Sequence, residues 1–194
     1  MNIKNCYVFL FLILFFSCGK NNDEYTELEK KFKGAFWNVD SHFNDLTYYD
    51  SAQLFLNRMK KNEDKEYLNN IWQLRLYLKK GMYDSILLKS KLTVSNNSYD
   101  INLINGIAYK AKGDTVNANI FFNKTLSGLN CNKELSDQCI IVKTLITDDF
   151  NLINENKNMS PFLYEIYNNS DNDIEILIEM INSPFNDDFF ILSK

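Results

Sequence analysis

From Glu24 onward, apolar positions recur at steps of three and four residues with polar residues between them, the period of an amphipathic helix rather than a strand. Leu28, Phe32, Ala35, Phe36, Val39 and Phe43 mark a first stripe. Ala52, Phe55, Leu56 and Met59 mark a second, between about Asp50 and Lys61. A third segment, Glu66 to Lys80, carries Leu68, Ile71, Trp72, Leu74, Leu76 and Leu78, so it is apolar on nearly all sides and is expected at the centre of the fold. Gly81 ends it as a C-cap, and a fourth helix is expected from Asp84 to about Val94, followed by a Ser95–Ser98 loop. Residues 99–130 then read as two helical patterns broken at Lys112-Gly113-Asp114, with the small residues Gly106 and Ala118 where two helices would touch closely. Leu135, Ile140, Ile141, Leu145 and Ile146 mark one helix of the tail. Ser160-Pro161 opens another through Phe162, Ile166 and Tyr167, and Asp171 to Asn182 forms a last one before Pro184. The closing Phe189-Phe190-Ile191-Leu192 is a docked or an exposed apolar end.

The pattern repeats. Tyr49-Asp50-Ser51-Ala52 returns as Tyr83-Asp84-Ser85-Ile86, and Tyr77 with Gly81 returns at nearly the same spacing as Tyr109 with Gly113. Units of about 33–66, 67–98 and 99–130 follow. A helix-turn-helix unit of this period resembles the tetratricopeptide repeat family. Gly106, Tyr109, Gly113, Asp114, Ala118 and Phe122 occupy that family's small, aromatic and turn positions in the third unit. Tyr77, Gly81, Tyr83 and Asp84 match in the second, and Phe43, Ala52 and Leu56 in the first, whereas Leu74, Ile86, Asp40 and Thr47 depart from the pattern. The resemblance implies an all-α fold: a short array of tetratricopeptide-like helix-turn-helix repeats over 27–130, closed by C-terminal capping helices over 131–194. A non-repetitive helical bundle is the alternative. In the repeat family the first helix of each unit lines a concave binding face. By resemblance that face holds Trp37, Ser41 and Asn44, then Ile71, Arg75 and Lys79, then Leu103, Ile107 and Lys110.

The start of the chain has another character. Lys4 precedes an apolar run from Tyr7 to Phe16, too short for the roughly 20 residues of a bilayer span and therefore read as a signal peptide over 1–17. Phe15-Phe16-Ser17-Cys18 resembles a bacterial lipobox, which implies lipidation at Cys18 and a lipid-anchored protein of the cell envelope. Ordinary cleavage near Ser17 with release is the alternative. Residues 18–26 are expected to form a polar tether. Its Lys20 and Asp23-Glu24 resemble the export signals of lipoproteins of the Bacteroidota, which would imply display at the surface of the outer membrane, a periplasmic side being the alternative. Removal of residues 1–17 takes Lys4 with it, and the net charge moves from −4 to −5.

Composition narrows the function classes. A chain of 194 residues with 45% apolar content and two prolines has the material for a buried core without metal or disulfides. The mild negative charge does not favour nucleic acid, for which a basic stripe is wanted. His42 is the one histidine, set between Asp40 and Asp45 on an expected helix, and it lacks the converging ligands of a metal site or the positioned serine of a hydrolase. Asp171-Asn172-Asp173-Ile174-Glu175 lacks the glycine and closing glutamate of a calcium loop. No cofactor is implied. Cys131 and Cys139 would lie about 12 Å apart on one straight helix, so they are free thiols unless Cys131 sits in a preceding loop that folds back. Asp50-Ser51, Asp84-Ser85 and Asp114-Thr115 resemble O-glycosylation acceptors of the Bacteroidota, and each also stands where helix capping is expected. These features lead to a non-enzymatic protein- or peptide-binding module at the envelope, its partner an unidentified envelope protein. Neutralisation of a toxin by an immunity-type lipoprotein and an envelope hydrolase are the alternatives.

Overall fold

The computed structural model describes residues 24–39, 46–92, 98–131, 137–147, 149 and 151–155. Their regular structure is helical, with no strand among them. In chain order the elements are α1 (24–37), α2 (Thr47–Met59), a single 3-10 turn (Glu63–Lys65), α3 (Glu66–Lys79), α4 (Tyr83–Leu92), α5 (Tyr99–Ala111), α6 (Thr115–Gly128), α7 (Asp137–Thr147) and α8 (Asn151–Glu155). From α2 onward each helix packs against its chain neighbours, and α3 also packs against α5, so the architecture is an all-α array of helix-turn-helix units. Among the described residues no helix is long and apolar enough to cross a membrane.

Two turns explain the repeat. After α3, the N–H of Met82 donates to Tyr77 O at 2.9 Å and that of Gly81 to Leu78 O at 3.0 Å. After α5, Asp114 donates to Tyr109 O at 3.0 Å and Gly113 to Lys110 O at 2.9 Å, the same Schellman pattern one unit on. Gly81 (φ 68°) and Gly113 (φ 78°) hold the left-handed conformation the motif requires, which a Cβ would strain. Asp114 then caps α6, its carboxylate accepting from the backbone and side-chain N–H groups of Asn117 at 3.1 and 2.7 Å. Those two bonds hold the Asp114 carboxyl below its ordinary value. Asp50 and Asp84 lie inside the first turns of α2 and α4, where a negative charge suits the helix dipole.

Two cores share α3. Tyr25, Phe32, Phe36 and Val39 pack with Ala52, Leu56, Met59, Trp72 and Leu76, while Ile71, Leu74 and Leu78 join the larger core of α4 to α8. Abundant asparagine finds its use between these helices. The Tyr25 hydroxyl donates to Asn69 Oδ1 at 3.1 Å, and Asn69 Nδ2 donates to Met59 O at 3.2 Å. Gln53 and Gln73 form a reciprocal amide pair at 2.7 and 2.9 Å, and Ser90 donates to Asn105 Oδ1 at 2.8 Å. Such buried polar rungs fix the register between successive units, because a slip would leave each partner unsatisfied.

The first unit departs from expectation. Its hairpin spans 24–59 rather than starting near residue 33, and α1 begins inside the stretch expected as a tether. The reason is Tyr25, whose buried ring ties the start of the helix to α3. The helix also ends at Trp37, short of Phe43, where Asn38 Nδ2 takes the carbonyl of Gly34 at 2.8 Å. In the tail, α7 packs against α6 and the short α8 against α7. Residues 1–23, His42, and the helices expected at Ser160-Pro161 and 171–182 lie outside the described residues.

Burial, with the nearby Glu29 carboxylate second, pushes the Tyr25 hydroxyl up to about 12. A group that holds its proton more tightly when folded contributes stability below its unfolded value of 10.0, and that contribution fades as pH rises toward 12. Thermal unfolding between these two pH values should therefore show a steeper alkaline loss for the parent than for Tyr25→Phe. Equal slopes would remove Tyr25 from the account, leaving Tyr49 and Tyr67, which burial also raises.

Candidate functional site

The last two turns of α1 and the facing stripe of α3 build a cluster of rings and cations. Trp72 is fully buried at its centre, with Phe32 at 5.4 Å and Phe36 at 6.3 Å between ring centroids. Arg75, one turn on along α3, lays its guanidinium 4.9 Å over the Trp72 ring, and Lys33 Nζ stands 5.7 Å from the same ring. Lys79, a further turn along, places Nζ 5.6 Å from Phe36 and 5.9 Å from Trp37. The i, i+4 spacing of Arg75 and Lys79 would otherwise repel, and the ring faces offset part of this at about 0.5–1 kcal/mol per contact. Asp100 at the start of α5 approaches Arg75 at 3.9 Å, and Glu29 holds Lys33 at 3.3 Å. Trp37, 57% exposed, is the part of the cluster that solvent reaches most freely. Trp72 Nε1 is buried without a hydrogen-bond partner among the described residues.

The expected concave face is thus divided. Trp37 and Lys79 come together at the end of α1 and α3, whereas Arg75 does not line an open face, being buried against the Trp72 ring and beside Asp100. Ile71, Leu103 and Ile107 do not line an open surface, because they are buried in the larger core with Ile140, Ile141, Val142 and Leu145 of α7. Lys110 is also drawn inward. Its Nζ donates to Leu145 O at 2.6 Å, in the last turn of α7, where a helix carbonyl lacks an intrahelical partner and attracts a cation. Ser41, Asn44 and Cys18 lie outside the described residues. A disulfide joins Cys131 to Cys139 with 5.6 Å between Cα atoms, which a straight helix would forbid. Cys131 follows Asn130 (φ 56°) at the end of α6 and precedes α7, so the two cysteines do not share one helix.

The residues that a face-by-face reading misses are Lys33, Phe36 and Trp72. Trp72 followed by Arg75 and Lys79 is a legible stripe, since steps of three and four put all three on one side of a helix. The partner rings Phe32 and Phe36 stand on the first apolar stripe, but only the packing of α1 on α3 pairs them with Trp72. Among the described residues no three His, Cys, Asp or Glu side chains are grouped to hold a metal ion. Chemically the cluster offers ring faces and guanidinium or ammonium donors for adhesion and supplies no nucleophile beside a base. No protein-family model, no curated protein and no solved structure matches this chain.

Proposed function

We propose that this chain is a lipoprotein anchored in the cell envelope through Cys18, whose tetratricopeptide-like helical domain is a non-enzymatic module for a protein or peptide partner. The observation that carries this is the Trp37–Lys79 end of the cluster, an exposed tryptophan beside a cation on a preorganised helical scaffold. Interface energy concentrates on such aromatic and cationic anchors, and a rigid scaffold reduces the ordering cost of binding. The stacking of successive hairpins supports the repeat-like character of the domain.

Two measurements test it. Cys18→Ala should move the protein from the membrane to the soluble fraction, and persistence in the membrane fraction would refute the anchor. Full-length protein on beads, incubated with detergent-solubilised envelope, should retain a stoichiometric protein, and Trp37→Ala/Lys79→Ala should weaken that retention by about tenfold or more. Equal retention by the double variant would remove this face from the function.

A further inference from the structure

We propose that the edge of the array where α1 begins rests on the surface of a phospholipid bilayer, so that the protein is docked by its fold as well as held by its lipid. This rests on the anchoring at Cys18 proposed above. Because the hairpins alternate in direction, α1, α3 and α5 start at the edge where α2, α4 and α6 end. Contacts between helices tie these ends together. Tyr25 reaches Asn69, near the start of α3, and Asn69 reaches the carbonyl of Met59, the last residue of α2. The Tyr67 hydroxyl meets that of Ser98, immediately before α5. Gly128, the last residue of α6, lies so near the start of α5 that a Cβ on it would be 3.0 Å from Tyr99 Cβ.

This edge carries exposed apolar, tyrosine and lysine side chains beside the exposed carboxylates of Glu24, Glu27, Asp64 and Glu66. Leu92 at the end of α4 is 76% exposed, Tyr67 44% and Tyr99 38%, with Lys60, Lys61 and Lys91 exposed at the ends of α2 and α4. Tyrosine rings favour the level of lipid headgroups, and lysines such as Lys61 and Lys91 bury their stems there while keeping their charge hydrated. Position selects the occupant. The chain from Cys18 to Glu24 is six residues, a reach of about 20 Å at most. A lipid on Cys18 therefore keeps this edge at high effective concentration against the bilayer, where weak apolar contacts suffice. The opposite edge, with the Gly81 and Gly113 turns and the Trp37–Lys79 pair, is about 20 Å farther, the length of α1 or α3. Docking would direct the binding face away from the membrane.

The full-length lipidated protein is reconstituted in phosphatidylcholine vesicles with or without brominated acyl chains, as the parent and as Leu92→Trp, a change at a position exposed enough not to disturb the core. The native tryptophans are internal references, since Trp72 is buried and Trp37 stands at the far edge. Bromine should quench the emission of the Leu92→Trp residue by about twofold or more and leave the parent nearly unchanged. If Leu92→Trp is quenched no more than the parent while the protein still sediments with the vesicles, the anchor stands and the docking edge is overturned. Failure to sediment at all overturns the anchor and the docking edge with it. A blue shift of Leu92→Trp on adding solubilised envelope protein, but not pure lipid, assigns the edge to a protein and also overturns the proposal.

Discussion

Gly106→Leu is expected to lower the stability of the protein by about 3 kcal/mol, measured as a fall in the urea midpoint at unchanged slope. The crossing of α5 and α6 leaves no room there. A Cβ at Gly106 would lie 2.5 Å from both Cδ1 and Cε1 of Phe122, a fully buried ring on the facing helix. The ring cannot swing into solvent, and Ala118 one turn before it is buried in the same crossing, so the helices must separate. Gly106→Ala is the finer probe. It gains about 1 kcal/mol of helix propensity and meets an overpacking cost of about 1–3 kcal/mol, so a small net loss is expected. Phe122→Leu in the Gly106→Ala background should cost less than Phe122→Leu alone, because the smaller side chain relieves the clash. A Gly106→Leu midpoint equal to that of the parent would disprove the close crossing and the repeat-like stacking that depends on it.

Opening the Cys131–Cys139 disulfide is expected to cost about 2.5 kcal/mol, the loop-closure entropy of an eight-residue crosslink. The bridge does more than close a loop. It ties the first turn of α7 to Cys131 just after α6. Both sulfur-bearing residues are buried, so the paired Cys131→Ala/Cys139→Ala variant is the cleaner test, since serine would leave hydroxyls among apolar neighbours. The variant should unfold earlier than the oxidised parent and match the parent treated with dithiothreitol. Hydrogen exchange should report the loss first over α7, whose last turn is held by the bond from Lys110. In a Cys6→Ala/Cys18→Ala background, two titratable thiols in the denatured, unreduced protein would refute the bridge.

Much of the fold was legible in the sequence because local chemistry specified it. The helical period of the apolar residues, the glycines at 81 and 113 and the aspartate before Thr115 each act within a turn or two of chain, and the helices from α3 to α6 stand where those signals put them. The first unit was less legible because α1 ends on an asparagine, Asn38 bonded back to Gly34 O, rather than on a glycine stop. The segment after Trp37 has no Schellman glycine, and the apolar steps run on through Val39 to Phe43, so the pattern could not mark where the chain leaves the helix. The candidate site shows the same division. Trp72, Arg75 and Lys79 share a stripe by spacing alone, but their pairing with Phe36 and Trp37 depends on how α1 lies against α3.

The sequence by itself determined an all-α chain of helical hairpins recurring at a nearly constant spacing, a close crossing at Gly106 and an α3 apolar enough to be shared by two cores. These follow from periodicity, turn chemistry and residue volume, which are properties of neighbours in the chain. Only the tertiary structure decided which first-helix residues meet solvent. Ile71, Arg75, Leu103, Ile107 and Lys110 sit on faces of the same kind, yet Leu103 and Ile107 are buried in the core they share with α7 residues and Lys110 bonds the Leu145 carbonyl of α7. Burial depends on what packs from a distance. In this chain α7 lies against α6 and is tied by a disulfide to Cys131 just after α6.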